Sequence, residues 1–322
     1  MSGFPLGNRD LRLAMLGMVE GNGHPYSWSI IVNGGYDRDA LDQCPYPGIR
    51  DYITRQPAET LGIPGACVTH VWTDNPADAQ DVARVALIPH VAQRPEDVIG
   101  HVDAVLIATD KGHEHVARAR PFVEAGLPVF VDKPLCDNRA DLATFAGWVG
   151  QGRPILSSSA MRYAKEFVPY HRATHALGQL RHIGVTMAKS WEAYGIHALE
   201  SVYPITGPGY VSVQNLGDAD SNVVHLRHRD NVDVLIQVTR DMIGGFGMVT
   251  LAGTAGGLQL RFGDTYHAFR AQLVGFVDYL RSGVPPVPWA ETEELMKLVI
   301  AGIESRAQGG RRIALDPWEG VK

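Results

Sequence analysis

The first half of the chain alternates short apolar runs with longer amphipathic segments. Most of the runs are bounded by Gly, Pro or Asp, which is typical of buried parallel strands. The predicted strands lie at 11–16, 66–72, 102–108, 129–131 and 154–157, and helices are predicted at 76–86, 113–125 and 138–149. Repeated strand–helix–strand order predicts a parallel sheet with right-handed crossovers, which is a dinucleotide-binding α/β arrangement.

One segment interrupts this alternation, at about 30–65. It is about as long as a whole strand–helix–strand unit, and we interpret it as an inserted loop with short helical pieces. The stretch from Tyr26 to Tyr52 is rich in aromatic residues, and we hypothesise that these side chains bind a sugar.

The pattern of apolar and polar residues changes after about residue 160. Alternating β-branched residues at 223–226, 232–239 and 247–252 predict antiparallel strands, and amphipathic helices are predicted at 266–281 and 291–307. We therefore expect a Rossmann dinucleotide-binding domain over 1–160 and an α/β domain for substrate binding and oligomerisation over 161–322.

Length and composition agree with this division and exclude other classes. A chain of 322 residues exceeds what one core usually supports, so two domains are expected. A net charge of −6 without a basic tract argues against a nucleic-acid partner. No apolar run approaches the roughly 20 residues of a membrane span, and no signal peptide is recognisable. Three separated cysteines without a CxxC pattern predict a reduced, cytoplasmic protein without a cysteine-rich metal site.

Candidate cofactor residues follow the first two predicted strands. Gly17, Gly21 and Gly23 form a turn that would let a pyrophosphate approach a helix N-terminus, although their spacing departs from G-x-G-x-x-G. Asp74 ends the second strand, where a carboxylate binds ribose hydroxyls and disfavours a 2′-phosphate. Asp74 could equally be a helix N-cap. Because no arginine follows Asp74 closely, the sequence favours NAD, with NADP not excluded.

The third strand is followed by a small residue and two histidines. Thr109 leaves room for a cofactor, and His115 opens the next helix, where it takes either a structural or a cofactor-lining role. His113 and His115 are two positions apart, so they would not share a helix face. We therefore predict no metal site here.

The most informative stretch is Asp132-Lys133-Pro134, directly after the apolar strand at 129–131. Ligands of open α/β sheets lie outside the carboxyl ends of the strands, so Lys133 would reach the cofactor crevice. We expect partial desolvation to lower the pKa of Lys133 toward acid–base use. The alternative is a solvated surface lysine.

In the second half, Glu192, Tyr194 and His197 lie close together, ahead of a helix that ends near Gly207. A single histidine on a helix is more often a hydrogen-bonded structural residue than a catalyst. On the residues alone, His197 keeps that structural interpretation.

Taken in order, these motifs resemble those of the Gfo/Idh/MocA family of NAD(P)-dependent oxidoreductases over nearly the whole length. Asp132-Lys133-Pro134 looks like the family's Glu-Lys-Pro motif, and a turn at Gly195-Ile196-His197 is also similar. The remaining matches are the 17–23 turn, the 107–109 strand end with His115, and the tail segments 285–288, 293–294, 301–305 and 309–311.

The resemblance implies a Rossmann domain and a second domain with a large, mostly antiparallel, open-faced sheet, through which members form homodimers or homotetramers. It implies hydride transfer between nicotinamide and a secondary alcohol or ketone of a sugar, glycoside or cyclitol. Lys133 would hydrogen-bond the reacting oxygen, His197 would accept the proton, and Asp132 would face the nicotinamide. The residues implied to line the substrate pocket are Arg162, Tyr163, Glu192, Tyr194 and the two catalytic groups; for Arg162 and Tyr163, interdomain packing is an equal alternative.

One departure from the family pattern concerns His197. The family often carries an aspartate four residues before this histidine, where this chain has Ala193. Either His197 works alone, or Glu192, Tyr194 or Lys165 takes the place of that carboxylate, or the chemistry differs. Two rival functions therefore stay open, a non-catalytic dinucleotide-binding sensor and an enzyme that retains NAD through an oxidation–elimination cycle.

Overall fold

A six-stranded parallel sheet organises the first half of the molecule. The computed structural model describes residues 3–315. The strands are β1 (Leu11–Leu16), β2 (Ala66–Trp72), β3 (His90–Val91), β4 (Ala104–Ile107), β5 (Val129–Val131) and β6 (Ile155–Leu156). Their order is β3-β2-β1-β4-β5-β6, with every neighbouring pair parallel. This is the strand order of a Rossmann sheet, and it confirms the predicted fold class of this half.

Six helices cover the two faces of this sheet. They are α1 (His24–Asn33), α2 (Arg38–Asp42), α3 (Pro47–Thr54), α4 (Pro76–Ala86), α5 (His115–Glu124) and α6 (Arg139–Gly150). Local sequence explains where α4 and α6 begin. The side chain of Asn75 caps α4, whose first residue is a proline, and the side chain of Asn138 caps α6. Asn75, and not Asp74, is therefore the helix cap.

The inserted segment contains short helices, as predicted, but its aromatic residues are mostly used for packing. Tyr26 and Trp28 are buried on α1, and the Tyr52 hydroxyl of α3 donates a 2.6 Å hydrogen bond to Ser27. Tyr26 also packs against Tyr46, with ring centroids 6.0 Å apart. The hypothesis that the 26–52 aromatic residues bind a sugar is therefore wrong for Tyr26 and Trp28, because these side chains form the core beneath the insertion.

A seven-stranded sheet organises the second half. Its strands are β7 (Leu180–Ala188), β8 (Tyr210–Asn215), β9 (Ser221–His228), β10 (Asp233–Thr239), β11 (Met248–Gly253), β12 (Gly257–Arg261) and β13 (Ile313–Ala314). The order is β12-β11-β7-β10-β9-β8-β13, and all pairs are antiparallel except β7 with β10. The alternating burial along β9 and β10 shows that one face is covered and the other is open.

Three longer helices complete the fold, namely α7 (Trp191–Thr206), α8 (Thr265–Ser282) and α9 (Trp289–Ala307). Helices α7 and α9 cover the inner face of the second sheet. Helix α8 returns to the first half, where Leu273, Phe276 and Val277 join the core on the α1 side of the Rossmann sheet. The division near residue 160 stays a prediction. Among the described residues, no helix is long and apolar enough to cross a membrane.

The predicted turn at Gly195-Ile196-His197 is wrong, because these residues lie inside α7. The Ser190 side chain caps the helix, so it begins at Trp191, earlier than expected. Gly195 is needed for packing: an added Cβ would lie 2.7 Å from the Trp191 ring. The helical conformation puts His197 on the buried side of α7 and fixes its direction.

Candidate active site

The glycine turn after β1 forms one wall of a crevice at the carboxyl edge of the Rossmann sheet. Gly17 has φ 83°, which favours glycine, and its N–H donates to the Trp72 carbonyl at 2.8 Å. An added Cβ would lie 2.8 Å from Thr109 Cγ2 and 3.3 Å from the Arg118 guanidinium. The structure therefore brings Gly17 close to Thr109. The small space between them stays open only because residue 17 has no side chain.

An apolar slot adjoins Gly17. Leu16, Trp72, Pro121 and Phe122 contribute to its walls, and its volume is about 250 Å³. Its shape and lining suit a flat aromatic base, because small-molecule sites are mostly apolar with a few polar groups at fixed positions. The slot and the space at Gly17 together fit the adenosine half of a dinucleotide.

Polar groups at the mouth of this slot include one that the sequence did not reveal. Asp74 accepts from the Met18 N–H at 3.3 Å, and Arg118 of α5 donates to Asp74 at 2.9 Å. Arg118 also pairs with Glu114 at 2.7 Å. No arginine follows Asp74 closely in sequence, but folding of α5 brings Arg118 to it from another part of the chain.

Asn22 and His24 connect the glycine turn to the ends of the neighbouring strands. The Asn22 amide donates to the Ala108 carbonyl at 3.1 Å and to Asp132 at 3.3 Å, while its oxygen accepts from the His24 N–H. Gly23 caps α1 without a side chain, and an added Cβ there would meet the Tyr46 ring at 2.8 Å. Gly21, with φ 79°, lies in open space. The hydrogen bonds of Asn22 thus fix the turn to the strand ends, while the space beside Gly21 is unoccupied by protein atoms.

Asp132 is fully buried, and protein groups satisfy its carboxylate. His24 Nδ1 lies 2.6 Å from Asp132 Oδ2, and the Lys133 N–H donates to Oδ1 at 2.7 Å. Burial alone would raise the pKa of Asp132, but the nearby charges of His24 and Lys133 outweigh it and lower the pKa. Asp132 is therefore an ionised anchor for His24, whose ring stacks on Trp28 at 4.5 Å.

Lys133 extends from this anchor into the crevice. Its side chain is only 2 % exposed, and its Nζ lies 3.6 Å from Asp110 Oδ2 and 4.9 Å from the centroid of the Tyr194 ring. Burial would lower its pKa, but Asp132 and Asp110 outweigh burial and raise the pKa. The expectation of a lowered lysine pKa is therefore wrong. Lys133 stays an ammonium at neutral pH, which suits it to donate a hydrogen bond to a developing oxyanion.

His197 faces the same tyrosine from α7. Its ring meets Tyr194 edge-on at 4.7 Å, and its Nδ1 lies 2.7 Å from Ser159 Oγ. Burial and the positive charges of Lys133, His24 and Lys189 hold the pKa of His197 well below its usual value. His197 is therefore neutral at physiological pH and can accept a proton.

The structure also shows which groups replace the missing carboxylate beside His197. Glu192 forms an ion pair with Arg306 of α9, and Lys165 pairs with Asp264, so neither contacts His197. Ser159, at the end of the segment after β6, makes the hydrogen bond to the ring. The proposed substitution by Glu192 or Lys165 is wrong because each is bound elsewhere, whereas Tyr194 does contact the ring.

Arg162 and Tyr163 pack against helices of the second half. Arg162 forms a buried ion pair with Glu200 of α7 and a second one with Glu291 of α9, at 2.9 Å. The Tyr163 hydroxyl lies beside Gly275 of α8, the helix that returns to the first half. This geometry favours a packing role over contact with substrate, and only for Tyr163 does the packing involve a helix that contacts both halves.

His115 is fully buried and bridges two strand ends. Its Nδ1 lies 2.9 Å from the Pro134 carbonyl, and its Nε2 lies 2.9 Å from the Thr109 carbonyl and 3.1 Å from the Thr109 hydroxyl. Both ring nitrogens are thus satisfied by the protein, which favours a structural role over cofactor contact. Burial lowers the pKa of His115.

These buried histidines make stability depend on pH. His115 and His197 both have pKa values below the reference of 6.5 in the folded protein, so the unfolded chain binds protons first on acidification. Their contribution is complete above about pH 6.5 and is lost as the pH falls through the folded values. We expect the free energy of unfolding to be lower at about pH 5.5 than at pH 7, with an upper limit of about 1.4 kcal/mol per histidine and pH unit.

Urea denaturation at the two pH values measures this difference. His197→Gln is the informative control, because glutamine still accepts from Ser159 and does not titrate. We expect this variant to be less acid-sensitive than the wild type, with the remaining sensitivity due to His115 and to His171, whose pKa burial lowers to about 4. Equal unfolding free energies of the wild type at both pH values would contradict the assignment of neutral buried histidines.

Fold and site together define a dinucleotide-binding α/β protein with a proton-handling cluster between its two halves. The family model described as oxidoreductase family, NAD-binding Rossmann fold (GFO_IDH_MocA) matches residues 50–146. This match confirms the resemblance to the Gfo/Idh/MocA family over this part of the chain and, for the Rossmann domain, the expected cofactor NAD.

Relatives and solved structures agree with this family. Inositol 2-dehydrogenase 1 of Saccharopolyspora erythraea is 36% identical over 124 residues. The match covers 36% of this chain and 36% of that protein, so the chain spans only about a third of the relative's length. The crystal structure of apo scyllo-inositol dehydrogenase from Lactobacillus casei aligns with TM-score 0.75 and 13% identity, covering 97% of this chain and 100% of that one. GenD2 from gentamicin A biosynthesis, in complex with NAD, aligns with TM-score 0.72 and 18% identity, covering 95% and 96%. The structural likeness confirms the fold of both halves.

Several residues of the site were missed by the sequence analysis. They are Asn22, His24, Asp110, Arg118, Ser159 and Lys189. Asp110 and Ser159 carried a usable signal, because each follows a predicted strand at the edge where ligands of α/β sheets bind. The other four depend on contacts that only the folded chain brings about.

Proposed function

We propose that this protein is an NAD-dependent dehydrogenase that oxidises a secondary alcohol of a sugar, glycoside or cyclitol, or reduces the corresponding ketone. The observation that carries the proposal is that a charged Lys133 and a neutral His197 both contact the ring of Tyr194. The inositol 2-dehydrogenase activity named for the bacterial relative supports a cyclitol or sugar substrate.

The dinucleotide would be held by residues of the first half. Gly17 and the 17–23 turn would lie against the pyrophosphate, the apolar slot would take the adenine, and Asp74 would bind the ribose hydroxyls. Arg118 is already paired with Asp74 and Glu114, so it is not free to bind a 2′-phosphate, which supports NAD over NADP. When bound, NAD supplies the hydride acceptor of the oxidation.

The chain's own residues handle the proton. In the oxidative direction Lys133 donates a hydrogen bond to the reacting hydroxyl oxygen, which stabilises negative charge as the C–H hydride leaves. His197 takes the hydroxyl proton, and Ser159 keeps its ring in position. The alcohol thereby becomes a ketone, with its hydride on the cofactor and its proton on His197. Asp110 and Asp132 keep Lys133 charged throughout.

The open face of the second sheet supports association between copies of the chain. Leu235 and Met248 lie on this face and are 42 % and 43 % exposed. Apolar side chains on an uncovered sheet face mark an interaction surface. We propose a homodimer or homotetramer formed through this face.

Gly17→Ala tests the cofactor site. Because the new methyl group would fill the space between Thr109 and Arg118 at a left-handed backbone position, we expect NAD affinity to fall by at least about tenfold, which corresponds to about 1.4 kcal/mol. Calorimetric titration with NAD measures the change. Gly126→Ala is the matched control, since Gly126 has φ 80° but its nearest contact is 3.8 Å away, at the other end of β5. Equal losses in both variants would contradict the assignment.

The function itself is tested in two stages. Thermal melting with NAD and with NADP identifies the cofactor, and a panel of polyols and cyclitols is then assayed for nicotinamide reduction. Binding without turnover would favour the sensor, and product without net reduced nicotinamide would favour the oxidation–elimination cycle. If neither dinucleotide raises the melting temperature, the proposal fails.

A further inference from the structure

A second lysine borders the catalytic cluster. Lys189 immediately precedes the cap of α7, and its Nζ lies 4.4 Å from the centroid of the Tyr194 ring. Lys133 lies 4.9 Å from the same centroid, so the two ammonium nitrogens are at most about 9 Å apart. A monosaccharide ring with its substituents spans a comparable distance.

The backbone holds Lys189 in an unusual conformation. Its φ is 65°, a left-handed value that is uncommon for a lysine. Its N–H donates to the Arg240 carbonyl at 3.3 Å, which ties it to the end of β10. The side chain is half-buried against Tyr194. Its position is therefore set by the fold and is not that of a freely moving surface lysine.

The Lys189 ammonium has no acidic partner among residues 3–315. The acidic groups of this region are bound elsewhere: Asp110 faces Lys133, Asp132 is held by His24, and Glu192 pairs with Arg306. At position 193, where the family often has an aspartate, the chain has an alanine methyl group. The region around Tyr194 thus carries the ammonium groups of Lys133 and Lys189, and of these only Lys133 is paired with a carboxylate, that of Asp110.

A partly desolvated cation without a counter-charge is unfavourable unless a ligand provides that charge. We infer that the substrate is a monosaccharide or cyclitol that carries an anionic group, a carboxylate or a phosphate, and that Lys189 binds this group while Lys133 binds the reacting hydroxyl. This inference rests on the proposed function and adds the substrate class. Because both lysines contact the Tyr194 ring, their ammonium groups are at most about 9 Å apart, which limits the distance between the reacting hydroxyl and the anionic group.

The test compares three sugars on the NADH-loaded protein, which cannot oxidise an alcohol: glucuronate, glucose 6-phosphate and glucose. We expect at least one of the anionic sugars to bind more tightly than glucose by calorimetry, and the better one identifies carboxylate or phosphate as the preferred group. Lys189→Met should weaken binding of that anion by about 10- to 100-fold, the usual effect of losing a charge-assisted hydrogen bond, and should leave glucose unchanged. Lys189→Asn, which tolerates a left-handed φ, should show the same loss if methionine disturbs folding.

Lys111→Met is the matched control, because Lys111 is a half-exposed lysine that pairs with Glu114 at 3.9 Å, away from Tyr194. It should bind all three sugars like the wild type. Equal affinities of the wild type for the anionic and neutral sugars, or an anion preference that survives in both Lys189 variants, would overturn the inference. Because binding is measured without turnover, this result is distinct from a failure of the dehydrogenase assay.

Discussion

Lys133→Met is expected to lower kcat/KM for alcohol oxidation by about 10³-fold while leaving NAD affinity within a few-fold of the wild type. The buried Lys133 ammonium can donate a charge-assisted hydrogen bond to the reacting oxygen, and such preorganised donors account for about 10²- to 10³-fold in rate. Loss of the positive charge also raises the proton affinity of His197. Steady-state nicotinamide reduction and calorimetric NAD titration measure the two effects separately.

Lys165→Met is the matched control for this experiment. Lys165 is 54 % exposed and pairs with Asp264 at the surface, so its removal should leave both kcat/KM and NAD affinity unchanged. If Lys133→Met retained full turnover, the lysine would have no catalytic role. If it lost NAD binding in proportion to turnover, Lys133 would be a cofactor-binding residue alone.

Arg162→Met is expected to lower the free energy of unfolding by about 3–5 kcal/mol, the typical effect of removing one partner of a buried ion pair. The guanidinium bridges Glu200 of α7 and Glu291 of α9, and Glu200 is buried. Burial already raises the pKa of Glu200 against the effect of Arg162, so the variant would leave a buried carboxylate without a counter-charge. Urea denaturation at neutral pH measures the loss.

Two companion variants isolate the cause of this loss. Adding Glu200→Gln to Arg162→Met removes the uncompensated charge, and it should recover part of the lost stability. Arg84→Met, which breaks the exposed pair of Arg84 with Asp81, should change the free energy of unfolding by less than about 1 kcal/mol. A similar small effect for Arg162→Met would contradict its role as the buried ionic bridge between α7 and α9.

The positions of most strands of the first sheet, and those of helices α4, α5 and α6, could be predicted from local patterns. The apolar runs at 11–16 and 129–131 became β1 and β5, and the residues after them line the crevice, because parallel strands deliver their carboxyl ends to one edge. Alternation in 232–239 correctly identified β10. Its pairing with β7 is parallel, however, and alternation alone does not distinguish parallel from antiparallel neighbours.

The site was predicted less completely than the fold. Lys133 and His197 could be singled out, but their charge states depend on groups far apart in sequence. Asp110 and Asp132 reverse the expected direction of the lysine pKa, and Ser159 takes over the contact expected from a carboxylate near position 193. Helix α7 begins earlier than predicted because the Ser190 cap was not recognised. Long-range contacts of this kind leave no periodic signal in the chain.

The most direct test of the account is a single-turnover reaction of the NAD-loaded protein with cyclitols and with neutral and anionic sugars, followed by absorbance of reduced nicotinamide. The account predicts that reduced nicotinamide forms together with an equal amount of ketone for at least one of these alcohols, and that Lys133→Met abolishes both signals while NAD stays bound. Tight NAD binding with no nicotinamide reduction by any of them would contradict it.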